Sequence, residues 1–312
     1  MENEEKIETD GLNFTNIQTI PIATRKHKFS LENMISLDNS ISLESSDLRE
    51  FATKIGQSKT NKNMNIFMLG GHVIKTGCSH LLIDLMKRGF IGHLAMNGAA
   101  AIHDFEIAMI GQTSEYVGNT IVNGSFGMVE ETGRYINEAA IMGARENKGY
   151  GLSLAGKIKE LNLKFKESSI IYNAFNYTIP VTVHTAIGTE TIYQHPLCDG
   201  ASLGKVSYED FKIFARSVSK LKGGTIANIG SAVIMPEVFL KVLSVVRNLK
   251  YDVINFSAAN FDMIKQYRPM ENVVNRPTSS GGNGYFIQGM HEQTIPTLHR
   301  LLIASSTSFS VI

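Results

Sequence analysis

Apolar positions along the chain fall into short blocks that alternate between two spacings. The run 66–69 is continuous and closes on Gly70 and Gly71; from 79 to 88, Leu81, Leu82, Leu85 and Met86 recur at helical spacing ahead of Gly89. A continuous block bounded by glycine fits a strand buried on both faces, and a glycine just past the last periodic residue ends a helix in the left-handed region. A second apolar run, 91–96, follows at once. Strand, glycine turn, helix, strand is the signature of a parallel sheet.

The same rhythm predicts helices at about 101–111, 129–146, 152–161 and 207–221, and strands at 181–184, 225–229 and 252–256. Another helix carries Pro236 in its first turn, where the missing N–H is harmless, and a last one spans about 294–304. Residues 1–63 break the pattern. Stretches such as "SLDNSISLESSD" and "GQSKTNKN" offer turn and cap signals, so this part reads as an arm with one helix near 48–55. No internal repeat or low-complexity linker divides the remainder. The expected organisation is an N-terminal arm, 1–63, and one α/β domain, 64–312, built on a Rossmann-like, doubly wound, mostly parallel sheet.

Charge and composition narrow the function classes. Thirty basic against 29 acidic residues give a net charge of +1 without a clustered basic face, which argues against nucleic acid. Cys78 and Cys198 are too few and too far apart for a disulfide framework, and fit a reducing compartment. The polar start MENEEK lacks a secretory pattern, and no apolar stretch approaches the roughly 20 residues of a membrane-spanning helix. A cytoplasmic protein without a membrane partner is expected.

Four segments that could carry chemistry follow predicted strands. "MNGAAAIHDFEIAMIG" places His103, Asp104 and Glu106 just after Asn97-Gly98, at the carboxyl end of a strand, where open α/β sheets bind ligands. A carboxylate beside a histidine orients a base or holds a cation. A purely structural reading stands beside it: Asp104 caps the helix, and His103 and Glu106 pair on its surface. "GGHVIKTG" is a strand-to-helix turn whose glycines let backbone approach a pyrophosphate, although it is not GxGxxG. "VTVHTAIGTETIYQHPLCDGASLGK" gathers His184, Glu190, His195, Asp199 and Lys205 after a strand, with His184 equally readable as a hydrogen-bonded core histidine. "INFSAANFD" adds Asn255, Ser257, Asn260 and Asp262, and "TSSGGNG" suits a lid or a linker.

In order and spacing, these segments resemble the deoxyhypusine synthase family over about residues 64–305. "LGGHVIKTG" is similar to its strand-to-helix turn near the cofactor, "GHLAMNGAA" to its Val-x-x-Thr-Ala-Gly-Gly segment, and "PLCDGASLG" to its Asp-Gly-Ser-Leu-Gly loop. "VINFSAANFD" followed by "YRPMENV" resembles its Ile-Asn-Thr-Ala-x-x-Phe-Asp and Ala-Arg-Pro-x-Glu segments. One stretch, "MNGAAAIHDFEIAMIGQTSE", is more similar to the NAD-binding domain of archaeal and cyanobacterial ornithine cyclodeaminases. The family pattern is broken at Asn275, Pro277 and Pro236, where its tryptophan, imine-forming lysine and histidine stand, and at Lys205, where it keeps an acid. Proline has no amine to form an imine.

The resemblance implies an NAD-dependent homotetramer acting on the C–N bond of a small amine or amino acid, and not a true deoxyhypusine synthase unless Lys205 replaces the missing lysine. Gly71, His72, Thr76, Asn97, Gly98, Asp199, Asn255 and Ser257 are the expected cofactor residues. His103 or His184 would move a proton, and Glu271 or Asp104 would hold an ammonium. The alternatives are a catalytically silent NAD or metabolite binder and a cyclodeaminase-like lyase. Metal-dependent hydrolysis through His103, Asp104, His184 and His195 lacks a metal-ligand spacing, so no metal is expected.

Overall fold

A computed structural model describes residues 13–308. Its strands are β1 (His27–Ser30), β2 (Asn65–Leu69), β3 (His93–Asn97), β4 (Gln112–Glu115), β5 (Val181–His184), β6 (Thr225–Ile229), β7 (Phe256–Asp262) and β8 (Gly282–Gln288). Six of them form one sheet in the order β5-β3-β2-β6-β7-β8, and every neighbouring pair is parallel. The chain works outward from β2 to β3 and β5, returns to lay β6 beside β2, and works outward again. This is the doubly wound, Rossmann-like order, and the β2/β6 border is its switch point.

Side-chain alternation explains why β2 is apolar from Ile66 to Leu69. Phe67 and Leu69 enter the core on one face, with the helices Ser46–Thr60, Ser79–Lys87 and Gly98–Ile110; Ile66 and Met68 enter the other, with Gly200–Val218 and Ile234–Asn248. A strand covered by helices on both sides has no polar face to show.

The arm is part of this packing. Leu48, Phe51 and Ile55 of Ser46–Thr60 are fully buried, the Tyr285 hydroxyl of β8 donates to Glu50 at 2.7 Å, and β1 pairs antiparallel with β4. No helix among the described residues is long and apolar enough to cross a membrane.

Three expectations need correction. The strand expected at 252–256 is instead β7, Phe256–Asp262. "TSSGGNG" is neither lid nor linker: Gly282 opens β8, and a Cβ there would lie 2.0 Å from the Phe256 carbonyl oxygen. The helix expected from 207 begins at Gly200, because Asp199 accepts from the N–H groups of Ala201 and Ser202 and caps it.

Candidate active site

At the switch point the ends of β2 and β6 touch. Gly70 N–H donates to the Ile229 carbonyl at 2.9 Å, and a Cβ on Gly70 would stand 1.9 Å from the Gly230 oxygen. Only glycine permits this approach, which leaves a shallow backbone floor at the carboxyl edge. Gly71 continues it, tight against His103, whose Cδ2 lies 3.1 Å from the position of a Cβ on Gly71. Beyond Gly230 sits buried His291, its ring 6.1 Å from that of His72. The floor has the bare backbone that a dinucleotide pyrophosphate requires.

Beside this floor opens a cavity of about 220 Å³. The helix Gly98–Ile110 supplies His103 and Glu106, the end of Gly71–Lys75 supplies Lys75, β4 supplies Glu115, the loop after β5 supplies Glu190, and the arm supplies Arg25. Arg25 Nη2 donates to Glu106 Oε2 at 2.7 Å, and Nη1 lies 3.9 Å from Glu115 Oε1. Glu106 also accepts from the hydroxyls of Thr113, at 2.5 Å, and Thr132, at 2.9 Å. Burial pushes the Glu106 carboxyl upward, but the Arg25 charge and these bonds outweigh it, so its pKa lies below the ordinary value. Burial also lowers His103 to about 4, against the pull of Glu106, so its ring is neutral near pH 7. Arg25 Nε, Glu115 Oε2 and Glu190 Oε2 are buried without a hydrogen-bond partner among the described residues. The cavity wall therefore carries cationic and carboxylate side chains together.

The structure separates residues that are adjacent in sequence. Asp104 faces away from the cavity: it accepts from the Ser169 hydroxyl and from the N–H groups of Ile170 and Ile171, holding the start of Ile170–Asn176. Burial raises its pKa to about 6 while these donors pull it down. His184 is a core histidine between the Thr182 hydroxyl, at 3.0 Å, and the Phe214 ring, and burial lowers its pKa to about 3. Lys205 is exposed on Gly200–Val218, and half-buried Glu271 pairs with Arg276; neither lines the cavity.

Among the cofactor candidates, Gly71 and His72 lie at the switch point, and Thr76 ends their short helix, its hydroxyl donating to the His72 carbonyl. Asn97 caps Gly98–Ile110 by accepting from Ala100 N–H at 2.9 Å, and a Cβ on Gly98 would meet the Glu190 carboxylate. Asp199 is an exposed helix cap. Asn255 and Ser257 require a correction of place: with β7 starting at Phe256, they lie at the amino edge of the sheet, opposite the crevice. Asp262 ends that strand instead. Sequence reasoning missed Arg25, Thr113, Glu115 and His291. Only Glu115 offered a signal, as the acid closing the "GQTSE" stretch.

No protein-family model matches the sequence, and no curated protein matches it. Solved structures share its fold. A conserved LOR/SDH-type protein from Methanococcus maripaludis S2 matches at 15% identity and TM-score 0.54, over 86% of this chain and 73% of that one. AgrE, in a ternary complex with ornithine and NAD+, matches at 12% identity and TM-score 0.53, over 86% of this chain and 34% of its own. A protein from Entamoeba histolytica described as a deoxyhypusine synthase matches at 10% identity and TM-score 0.49, over 83% of this chain and 88% of that one. The chain spans about a third of the length of AgrE and of the cyanobacterial arginine dihydrolase ArgZ. At such identities the likeness to the LOR/SDH-type protein and to AgrE supports the Rossmann-like fold alone.

Proposed function

We propose that this chain is an NAD-binding enzyme that acts on the C–N bond of a small amino acid. The observation that carries the reading is the cavity beside the switch point, whose wall brings the cations Arg25 and Lys75 together with the carboxylates Glu106, Glu115 and Glu190. Gly70, Gly71 and Gly230 would hold the dinucleotide by close backbone approach. Bound there, NAD supplies the hydride acceptor. Glu115 and Glu190 accept the substrate ammonium, Lys75 meets its carboxylate, and His103 takes the proton that the nitrogen must lose. AgrE, about a third of which shares this fold, is described in a ternary complex with ornithine and NAD+, which supports this combination.

The same arrangement speaks against aminobutyl transfer to a protein. Pro277 is buried and has no amine, and Lys205 is on the surface away from the cavity. The homotetramer belongs to the proposal on the resemblance alone.

Calorimetric titration with NAD, followed by NADH absorbance with a panel of amino acids and of amines lacking a carboxylate, tests the reading. Submillimolar NAD binding and turnover confined to amino acids, ornithine among them, are expected. Absence of NAD affinity below millimolar overturns it, and binding without any turnover points to a silent binder.

A further inference from the structure

We infer that Thr113 is a positioning residue, whose hydroxyl locks His103 in the tautomer with its proton on Nδ1 and leaves a bare Nε2 lone pair for the cavity. Glu106 is a fully buried carboxylate paired with Arg25, so it can only accept. Thr113 Oγ1 lies 2.5 Å from Glu106 Oε2 and 2.8 Å from His103 Nδ1. A hydroxyl has one proton, and the carboxylate takes it. Toward His103 the same oxygen must therefore accept, and Nδ1 must carry the hydrogen.

His103 is neutral near pH 7, so its single ring proton is accounted for. Nε2 makes no hydrogen bond among the described residues, while the ring lines the cavity with Cδ2 against Gly71. The groups that face the ring are Glu106 on its own helix, Lys75 and His72 on Gly71–Lys75, and Arg25 on the arm. Three of the four are basic, which further opposes a second proton on the ring. The chain Arg25, Glu106, Thr113, His103 thus converts a charge on the arm into the orientation of a base. Its use in catalysis rests on the function proposed above; the tautomer itself does not.

The test reads the tautomer directly. Nitrogen-15 NMR of the histidine-labelled full chain without ligand, with His103 assigned through His103→Gln, should show a protonated Nδ1 and an unprotonated Nε2 at neutral pH. Thr113→Val should shift His103 toward the Nε2–H form that free histidine prefers in water, and Thr113→Ser should restore the native pattern. An Nε2–H signal in the wild type overturns the inference without any variant having to fold, as does an unchanged His103 in Thr113→Val. If turnover is found, Thr113→Val should lower kcat about 10-fold or more with little change in KM, since a positioned base contributes roughly 10²–10⁴-fold. Loss of the proposed function would show as missing NAD binding while the NMR result stands.

Discussion

Replacing Arg25 by Met, which keeps the length of the side chain and removes its charge, probes the cavity and the arm together. Arg25 and Glu106 are 6% and 2% exposed, so the pair is screened little by solvent. Unit charges about 4 Å apart interact by roughly 4 kcal/mol at an effective dielectric constant of about 20, and removing one member of a buried pair costs about 3–5 kcal/mol. A second route gives a figure of the same size. Without Arg25, Glu106 can escape by taking a proton, at about 1.4 kcal/mol for each pH unit above its ordinary value of 4.5. Near pH 7.5 that is about 4 kcal/mol, so the expected loss is about 3–5 kcal/mol.

The pH dependence has opposite signs in the two proteins. In the wild type the Glu106 pKa is depressed, so its contribution is present above 4.5 and is lost only as pH falls through the folded value. In Arg25→Met burial acts with its main opponent gone, the folded pKa rises above 4.5, and the variant regains stability as pH falls toward that value. Denaturant unfolding near pH 7.5 and near pH 5 should therefore show the gap shrinking to about 1–2 kcal/mol. Adding Glu106→Gln should recover much of the loss in a double-mutant cycle. A loss below about 1 kcal/mol that ignores pH, as for an exposed pair, would refute the reasoning and detach the arm from the site.

Further outcomes are open to measurement. Asp104→Ala removes three hydrogen bonds to a buried carboxylate, each worth about 1.5–3 kcal/mol; circular dichroism should show a lower unfolding midpoint while NAD affinity measured by calorimetry stays within about twofold. His184→Ala should behave alike, with a loss of about 2–4 kcal/mol for a buried ring; weaker NAD binding at native stability would instead return either residue to the site. Gly70→Ala forces a methyl into the Gly230 carbonyl and should cost about 1–3 kcal/mol, a forecast that an unchanged melting temperature would defeat.

Much of the sheet can be read from the chain because a buried parallel strand is written as an apolar block closed by glycine. The blocks at β2 and β6 fall where the sequence predicts them, and β5 agrees at both ends. β7 and β8 escape because small and polar residues stand between their bulky buried ones, Phe256 and Phe261 in β7 and Tyr285 and Ile287 in β8. β7 reads FSAANFD, with Ala258 and Ala259 fully buried and Asn260 paired to Asn228, so small and polar residues occupy interior positions and imitate a loop. The preceding apolar residues Val253 and Ile254 then draw the predicted strand too early, and that slip carries Asn255 and Ser257 to the wrong edge of the sheet.

The site is harder to read because its geometry is set by rotation and by distant partners. His103, Asp104 and Glu106 look like one cluster, yet consecutive residues on a helix point about 100° apart, whereas residues three apart share a face. His103 and Glu106 accordingly meet through Thr113, while Asp104 turns inward to the start of another helix. The partners that give Glu106 its charge state, Arg25 and Thr113, reach it through the β1–β4 pairing, which sets Phe29 opposite Thr113 and His27 opposite Glu115. Nothing in the polar arm marks Arg25 among its basic neighbours Lys26 and Lys28. What distinguishes it is burial, and burial there follows from that two-stranded register. A one-residue slip of β1 would turn its side chains to the other face and leave the Glu106 carboxylate uncompensated. The register of a short strand in the arm is thereby coupled to the protonation of the cavity.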